Sequence, residues 1–60
     1  MNDQLLSTFF SDDQLRAAMV FMRDSFGYRV CCLDSYSGTE KEYYFNFLQE
    51  AEDFAENWVL

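Results

Sequence analysis

Two runs of strand-forming residues around a turn constrain the fold of this chain most strongly. Residues 28–34 and 41–47 are rich in β-branched and aromatic side chains, and "DSYSGT" between them has the composition of a tight turn. In the second run Tyr43, Phe45 and Phe47 alternate with more polar residues, which is typical of a strand with one buried face. A two-stranded hairpin is marginally stable alone. Other elements must therefore cover this hairpin.

The segment before the first run has the pattern of an amphipathic helix. Ser11 is a candidate N-cap, and Gln14 occupies the capping-box position three residues later. Gly27 is placed to end the helix in the left-handed conformation. The residues between them that recur at helical spacing along one face are Leu15, Ala18, Met19, Met22 and Phe26. We predict a helix over residues 12–26.

A second helix is predicted over residues 48–58, directly after the second strand. Asn46 can cap this helix, and Gln49 stands at the capping-box position. When Ala51 is set toward the core, four further residues share its side of the helix: Phe47, Phe54, Ala55 and Trp58. The second helix can therefore cover the hairpin from its apolar side.

These elements predict an α+β fold made of one small domain spanning residues 1–60. Its order is α-β-β-α, with both helices packed on a two-stranded antiparallel hairpin and residues 1–10 forming an N-terminal arm or a short helix. Sixty residues are near the lower limit for folding without a metal or a disulfide framework, but aromatic residues make up 20% of the chain. Phe45, Phe54 and Trp58 are the predicted core.

The residue types that catalysis and metal binding need are scarce. The chain has no His, no glycine-rich phosphate loop, no nucleophile elbow and no zinc-ligand spacing. Cys31 and Cys32 are adjacent on a strand, so their side chains point to opposite faces and are poorly placed to chelate one metal ion. We expect a buried Cys32 and a less buried Cys31. The sequence predicts a protein that is not an enzyme and holds no metal or cofactor.

The location of the protein is predicted from two further features. No apolar run approaches the roughly 20 residues of a membrane span, and the N-terminus lacks the positive charge that begins a signal peptide. We therefore expect a cytoplasmic protein without a membrane partner.

The second predicted helix concentrates negative charge. Its carboxylates are Glu50, Glu52, Asp53 and Glu56, with no Lys or Arg among them. Like charges three or four residues apart on a helix repel by roughly 0.2–0.5 kcal/mol per pair, so this arrangement works against helix stability. The whole chain has a net charge of −7, which would repel nucleic acid and attract a basic protein surface. We interpret the four carboxylates as a partner-binding site.

A second group of candidate contacts surrounds the predicted hairpin tip. Its carboxylates are Asp34, Glu40 and Glu42, and its candidate exposed aromatic contacts are Tyr36 and Tyr44. Successive carboxylates on one helix face lie about 4.5–6 Å apart, comparable in scale to phosphates at about 3.4 Å along one strand of DNA. Two acidic tracts beside an aromatic surface could therefore imitate DNA in the binding site of a DNA-binding protein.

In size, charge and layout, with "SDDQL", "DSYSGTEKEYYF" and "EAEDFAENW" in succession, the chain resembles the small phage-encoded anti-CRISPR proteins. The resemblance is to those acting on type I systems, type I-C among them, and it spans the whole chain without a diagnostic motif. It implies a viral inhibitor in the host cytoplasm that mimics DNA and blocks target-DNA binding by a CRISPR Cascade-type complex. The implied partner is the basic DNA-binding surface of that complex, in particular its large subunit.

Two other interpretations remain open. The acidic helix could belong to an adaptor or antitoxin-like module that docks on a basic protein without competing with DNA. Alternatively, the charge could serve solubility alone, with function in the apolar faces, such as a homodimer through the open hairpin edge. A surface that serves solubility alone would mix both signs of charge, so the uncompensated pairs favour the two acidic-docking interpretations. We expect a monomer.

Overall fold

A four-stranded antiparallel sheet carries one helix in the computed structural model of this chain, which describes residues 3–23 and 27–60. The elements in chain order are β1 (Gln4–Phe10), β2 (Arg16–Met22), β3 (Tyr28–Asp34), β4 (Thr39–Phe45) and α1 (Leu48–Trp58). The strands lie in the sheet in the same order as in the sequence. No helix in the described part of the chain is long and apolar enough to cross a membrane.

The predicted α-β-β-α order is wrong, because the observed order is β-β-β-β-α. The helix predicted over residues 12–26 is replaced by a turn and β2, and the predicted arm at residues 1–10 contains β1. Two parts of these predictions lie outside the described residues: residues 1–2 of the arm and residues 24–26 of the helix, which include Phe26.

The C-terminal half of the chain agrees better with the sequence-based expectation. β3 and α1 have the predicted bounds, 28–34 and 48–58. The second strand of the predicted hairpin begins and ends two residues earlier, as β4.

β2 is a strand because it lies in the interior of the sheet. Its sequence "RAAMVFM" is apolar at every position after Arg16, and Ala18 and Val20 are fully buried. An unbroken apolar run contains both a helical and an alternating subset of positions, so periodicity alone does not separate the two structures. Antiparallel pairing with β1 on one side and β3 on the other satisfies its backbone.

The predicted capping box at Ser11 forms the turn between β1 and β2 instead. Ser11 Oγ accepts a hydrogen bond from the Arg16 amide at 3.0 Å and donates one to Asp13 Oδ1 at 2.7 Å. Gln14 has a φ of 61°, a left-handed conformation that a helix does not contain. The Leu15 amide and the Ser11 hydroxyl both donate to Asp13, which lowers the pKa of its carboxyl below the usual range.

Gly27 serves the connection between β2 and β3, where we predicted the end of a helix. Its φ is 83°, and a Cβ atom at this position would lie 2.6 Å from the carbonyl oxygen of Phe45. Both the conformation and the close approach of β4 require glycine here.

The core lies between one face of the sheet and α1. The residues buried there are Ala18, Val20, Val30, Cys32, Ala51, Ala55 and Val59. The small side chains of Ala51 and Ala55 let the helix approach the sheet closely. Of the predicted core, Phe45, Phe54 and Trp58 are partly buried and pack against this cluster. The Phe54 ring lies 4.7 Å from the Tyr43 ring and 5.2 Å from the Phe45 ring.

The start of α1 differs from the prediction. The N-cap position is Phe47, in an extended conformation and without a side-chain hydrogen bond, so Asn46 does not form the predicted capping box. Phe47, which the helical spacing places on the same side as Ala51, is 65% exposed. The helix depends on tertiary packing of Ala51 and Ala55 rather than on its cap.

Candidate functional site

The outward side of α1 carries three exposed carboxylates, Glu50, Asp53 and Glu56, which we call the acidic helix surface. They lie away from the sheet because Ala51 and Ala55 occupy the opposite side of the helix and are fully buried. The Gln49 side-chain amide donates a hydrogen bond to Asp53 Oδ1 at 2.9 Å, which orients that carboxylate on the surface.

Few positive charges compensate the acidic helix surface. Within residues 3–23 and 27–60 the ion pairs join Arg29 to Asp3 at 3.0 Å and to Glu42 at 2.8 Å, and neither reaches α1. The positive end of the helix dipole favours Glu50 in the first turn, whereas Glu56 lies close to the negative end. The last turn contains no basic residue. This surface therefore presents net negative charge to a partner.

Glu52, the fourth predicted carboxylate of the helix, has a different environment. Its side chain is half-buried and accepts a hydrogen bond from Ser7 Oγ at 2.9 Å. This bond ties α1 to β1, so Glu52 positions the helix on the sheet. Sequence patterns do not predict this contact, because residues 1–10 are not expected to form a strand.

Glu40, Glu42 and Tyr44 lie on the other side of the molecule. In β4 they alternate with Tyr43 and Phe45, which pack against the core beneath α1. Their side chains therefore belong to the face of the sheet away from the helix, which we call the open sheet face. The sheet separates this predicted acidic tract from the acidic helix surface.

Glu42 is engaged within the open sheet face. It forms the ion pair with Arg29, and the Tyr44 hydroxyl donates a hydrogen bond to it at 2.9 Å. This hydrogen bond raises the pKa of Tyr44, because the neutral phenol is the form that donates. Glu40 is exposed, and the Cys31 thiol lies 3.8 Å from its carboxylate.

Asp34 and Tyr36 belong to the turn between β3 and β4. Asp34 Oδ1 accepts a hydrogen bond from the Tyr36 amide at 2.9 Å, and its carbonyl accepts one from the Gly38 amide at 2.8 Å. Asp34 therefore shapes the turn. Tyr36, which we expected to be exposed, is 74% exposed.

The open sheet face also carries apolar residues, which the sequence-based reasoning missed. They include Leu5, Phe10, Met19, Phe21 and Leu33, on three adjacent strands. Leu5 and Phe10 are 53% and 61% exposed, and the Arg29 guanidinium lies 4.6 Å from the centre of the Phe21 ring. The continuous apolar run of β2 is the signal for this face, but the same run also fits the helix predicted over residues 12–26.

The two cysteines point to opposite faces, as predicted, but both are buried. Cys32 faces the core, where burial raises its pKa to about 11. Cys31 is 7% exposed on the open sheet face, and burial there also raises its pKa. Both thiols are protonated near neutral pH and are poor nucleophiles. The part of the chain that the structure describes contains no group of three or more His, Cys, Asp or Glu residues that could hold a metal ion.

Comparisons of this chain with protein-family models, with curated proteins and with solved structures give no match in any of the three.

Proposed function

We propose that this chain is an acidic inhibitor that imitates DNA and docks its acidic helix surface on the basic DNA-binding surface of a protein complex. The observation that carries the proposal is the exposure of Glu50, Asp53 and Glu56 on one side of α1, unpaired with any basic side chain of residues 3–23 and 27–60. The net charge of −7 would speed the encounter with a basic partner.

A CRISPR Cascade-type complex is the partner we propose. The resemblance of the sequence to small anti-CRISPR proteins supports this choice, and occupation of the DNA-binding surface would prevent target DNA from loading. The inhibitor itself would not bind nucleic acid, because it offers DNA phosphates the same sign of charge.

The length of the carboxylate row sets the scale of the mimicry. Glu50, Asp53 and Glu56 span about 9 Å along the helix axis at about 1.5 Å per residue. One strand of DNA places about three phosphates in that distance, at about 3.4 Å each. The acidic helix surface would therefore occupy one local cluster of phosphate contacts. Glu40 and Glu42 face away from it and would not extend the same row.

This short row also supports a second function, an adaptor that docks on a basic protein patch outside the DNA-binding site. Both functions require the acidic helix surface. They differ in whether DNA and this chain exclude each other on the partner.

The proposal is tested with two double variants that remove the same charge, one pair on α1 and the other pair outside it. Asp53→Asn/Glu56→Gln alters the acidic helix surface, and Asp12→Asn/Glu40→Gln is the matched control at two exposed residues elsewhere. Binding to a purified type I Cascade complex is measured at low and at high salt. We expect the helix variant to bind roughly tenfold more weakly, with a flatter salt dependence, and the control to bind like the wild type.

Addition of the target DNA duplex then separates the two functions. Competition between the duplex and the wild-type chain supports DNA mimicry, whereas simultaneous binding identifies an adaptor. Equal binding of the two variants would show that the acidic helix surface is a solvated face and would overturn the proposal. Absence of wild-type binding would rule out the Cascade complex as the partner.

A further inference from the structure

The two edges of the sheet differ in their chemistry. β4 carries Glu40, Lys41 and Glu42, and charged side chains are a common protection of edge strands against pairing with other chains. β1 has the sequence "QLLSTFF", without a charged residue or a proline. It stands at the end of the strand order, so within the described part of the chain its backbone pairs on one side only.

The exposed side chains of β1 add apolar surface to this edge. Leu5, Leu6 and Phe10 are 53%, 37% and 61% exposed. An uncharged edge strand with exposed apolar residues is a template for the addition of another strand.

We propose that a second copy of this chain pairs with β1 in antiparallel orientation, so that the two sheets join into one continuous sheet. The register shift between Leu5 and Ser7 interrupts the regular strand, which places the pairing at residues 7–10. In a pair centred on Thr8, Ser7 of each copy lies opposite Phe9 of the other, and Phe10 lies at the end of the paired segment, next to the interruption at Leu6 of the other copy. Each copy supplies backbone donors and acceptors to the other.

The distribution of charge leaves β1 as the edge through which two copies of this chain can approach each other. Two molecules of net charge −7 repel each other, and β1 is the strand of the sheet that carries no charge. The neighbouring Asp3 is already paired with Arg29 at 3.0 Å. Approach through β1 therefore keeps the acidic helix surfaces and the charged β4 edges away from the contact. A basic partner would be drawn to the acidic helix surface instead.

The size of the contact predicts a weak dimer. Pairing of one short strand buries less than the roughly 800 Å² per partner of a standard interface. We therefore expect a dissociation constant of about 10 μM to 1 mM for the dimer. Salt screens the repulsion between the two copies, so the dimer strengthens as salt is added. This dependence is opposite to that expected for the binding of the acidic helix surface to a basic partner.

The test places the same new charge on either edge. Thr8→Lys alters β1, and Thr39→Lys is the matched control on β4; both threonines are exposed. Sedimentation equilibrium of the wild type should show an average mass that rises from 7.2 kDa toward twice that value with concentration and with salt. Thr8→Lys should weaken the dimer at least tenfold, because two lysines meet at its centre, while Thr39→Lys should dimerise like the wild type.

Hydrogen exchange on the wild type gives a second readout that does not depend on the folding of a variant. Backbone amides of residues 7–10 should gain protection as the protein concentration rises, while those of residues 39–45 should not. A wild type that stays at monomer mass at high concentration and high salt overturns the proposal. Equal loss of the dimer in both variants, or concentration-dependent protection at β4 instead of β1, overturns it as well.

Discussion

The two faces of the sheet differ in how they shield their apolar side chains from solvent. On the face beneath α1, Val20, Val30 and Cys32 are almost completely excluded from solvent. On the open sheet face, Phe21 lies under the Arg29 guanidinium, which in turn pairs with Glu42. One face is covered by a helix, whereas on the other a charged side chain covers Phe21 and leaves Leu5 and Phe10 exposed.

This difference shows where the stability of the protein is concentrated. Full burial of an aliphatic or aromatic side chain contributes about 1.5–3 kcal/mol, whereas an exposed ion pair contributes about 0–1 kcal/mol. Substitutions beneath α1 should therefore cost much more than equivalent substitutions on the open sheet face. Two pairs of substitutions and one single substitution examine this difference, beginning with the largest expected effect.

The largest effect is expected from the removal of one phenylalanine ring on each side of the sheet. Phe54→Ala removes the ring that contacts Tyr43 and Phe45, and we expect a loss of about 3 kcal/mol in the free energy of unfolding. Phe21→Ala removes a ring from the partly exposed open sheet face and should cost about 1 kcal/mol, because water can occupy the space left there and no closed cavity forms. Urea denaturation of the two variants measures the difference. Equal losses would show that both faces contribute alike.

An intermediate effect is expected at the two cysteines. Cys32→Ser places a hydroxyl among apolar neighbours and should cost about 1–3 kcal/mol. Cys31→Ser should cost less than about 1 kcal/mol, because its hydroxyl can donate to Glu40, whose carboxylate already lies 3.8 Å from the thiol. Thermal unfolding measures both.

Alkylation of the wild type tests the same pair without substitution. The raised pKa values mean that the reactive thiolates appear only at alkaline pH, so labelling should be slow near pH 7 and accelerate as pH rises. Cys32, with a pKa of about 11, should react last. Fast labelling of Cys32 near neutral pH would show that α1 opens frequently.

The smallest effect is expected from Glu42→Gln, which breaks the ion pair with Arg29. The pair is partly exposed, so we expect a loss of about 0.5 kcal/mol that declines as salt is added. The same change removes the carboxylate that accepts a hydrogen bond from the Tyr44 hydroxyl, so the pKa of Tyr44 should fall toward its usual value. Ultraviolet titration of the tyrosines measures this change. A loss as large as that of Phe54→Ala would contradict the difference between the faces.

The sequence correctly predicted the elements whose residue pattern fits only one type of secondary structure. Residues 48–58 have helical spacing and too few β-branched residues for a strand, and residues 28–34 follow Gly27 with an alternating pattern that matches β3. The "SDDQ" segment was ambiguous, because the side chains that cap a helix also stabilise tight turns. The unbroken apolar run of β2 did not resolve this ambiguity, so the helix predicted over residues 12–26 was wrong.

The candidate site was predictable only where it depended on α1. Glu50, Asp53 and Glu56 share an exposed side of that helix, as its spacing indicated. The face on which Glu40 and Glu42 lie became known only once α1 was placed on the sheet. The contact between Glu52 and Ser7 joins residues 45 positions apart in the sequence, and local patterns carry no information on such a contact.

The order of the strands has a consequence for how the protein folds. Every strand pairs with its neighbour along the chain, and α1 follows β4 after two residues. Contacts between segments that are close in sequence need only short loops to close, which costs little chain entropy. Pairing of neighbouring strands involves shorter loops than crossover connections would, so we expect this sheet to fold at the fast end of the range for β-rich proteins, on the order of milliseconds. We expect more than one of these hairpins to be able to nucleate the sheet, so loss of one turn should slow folding without abolishing it.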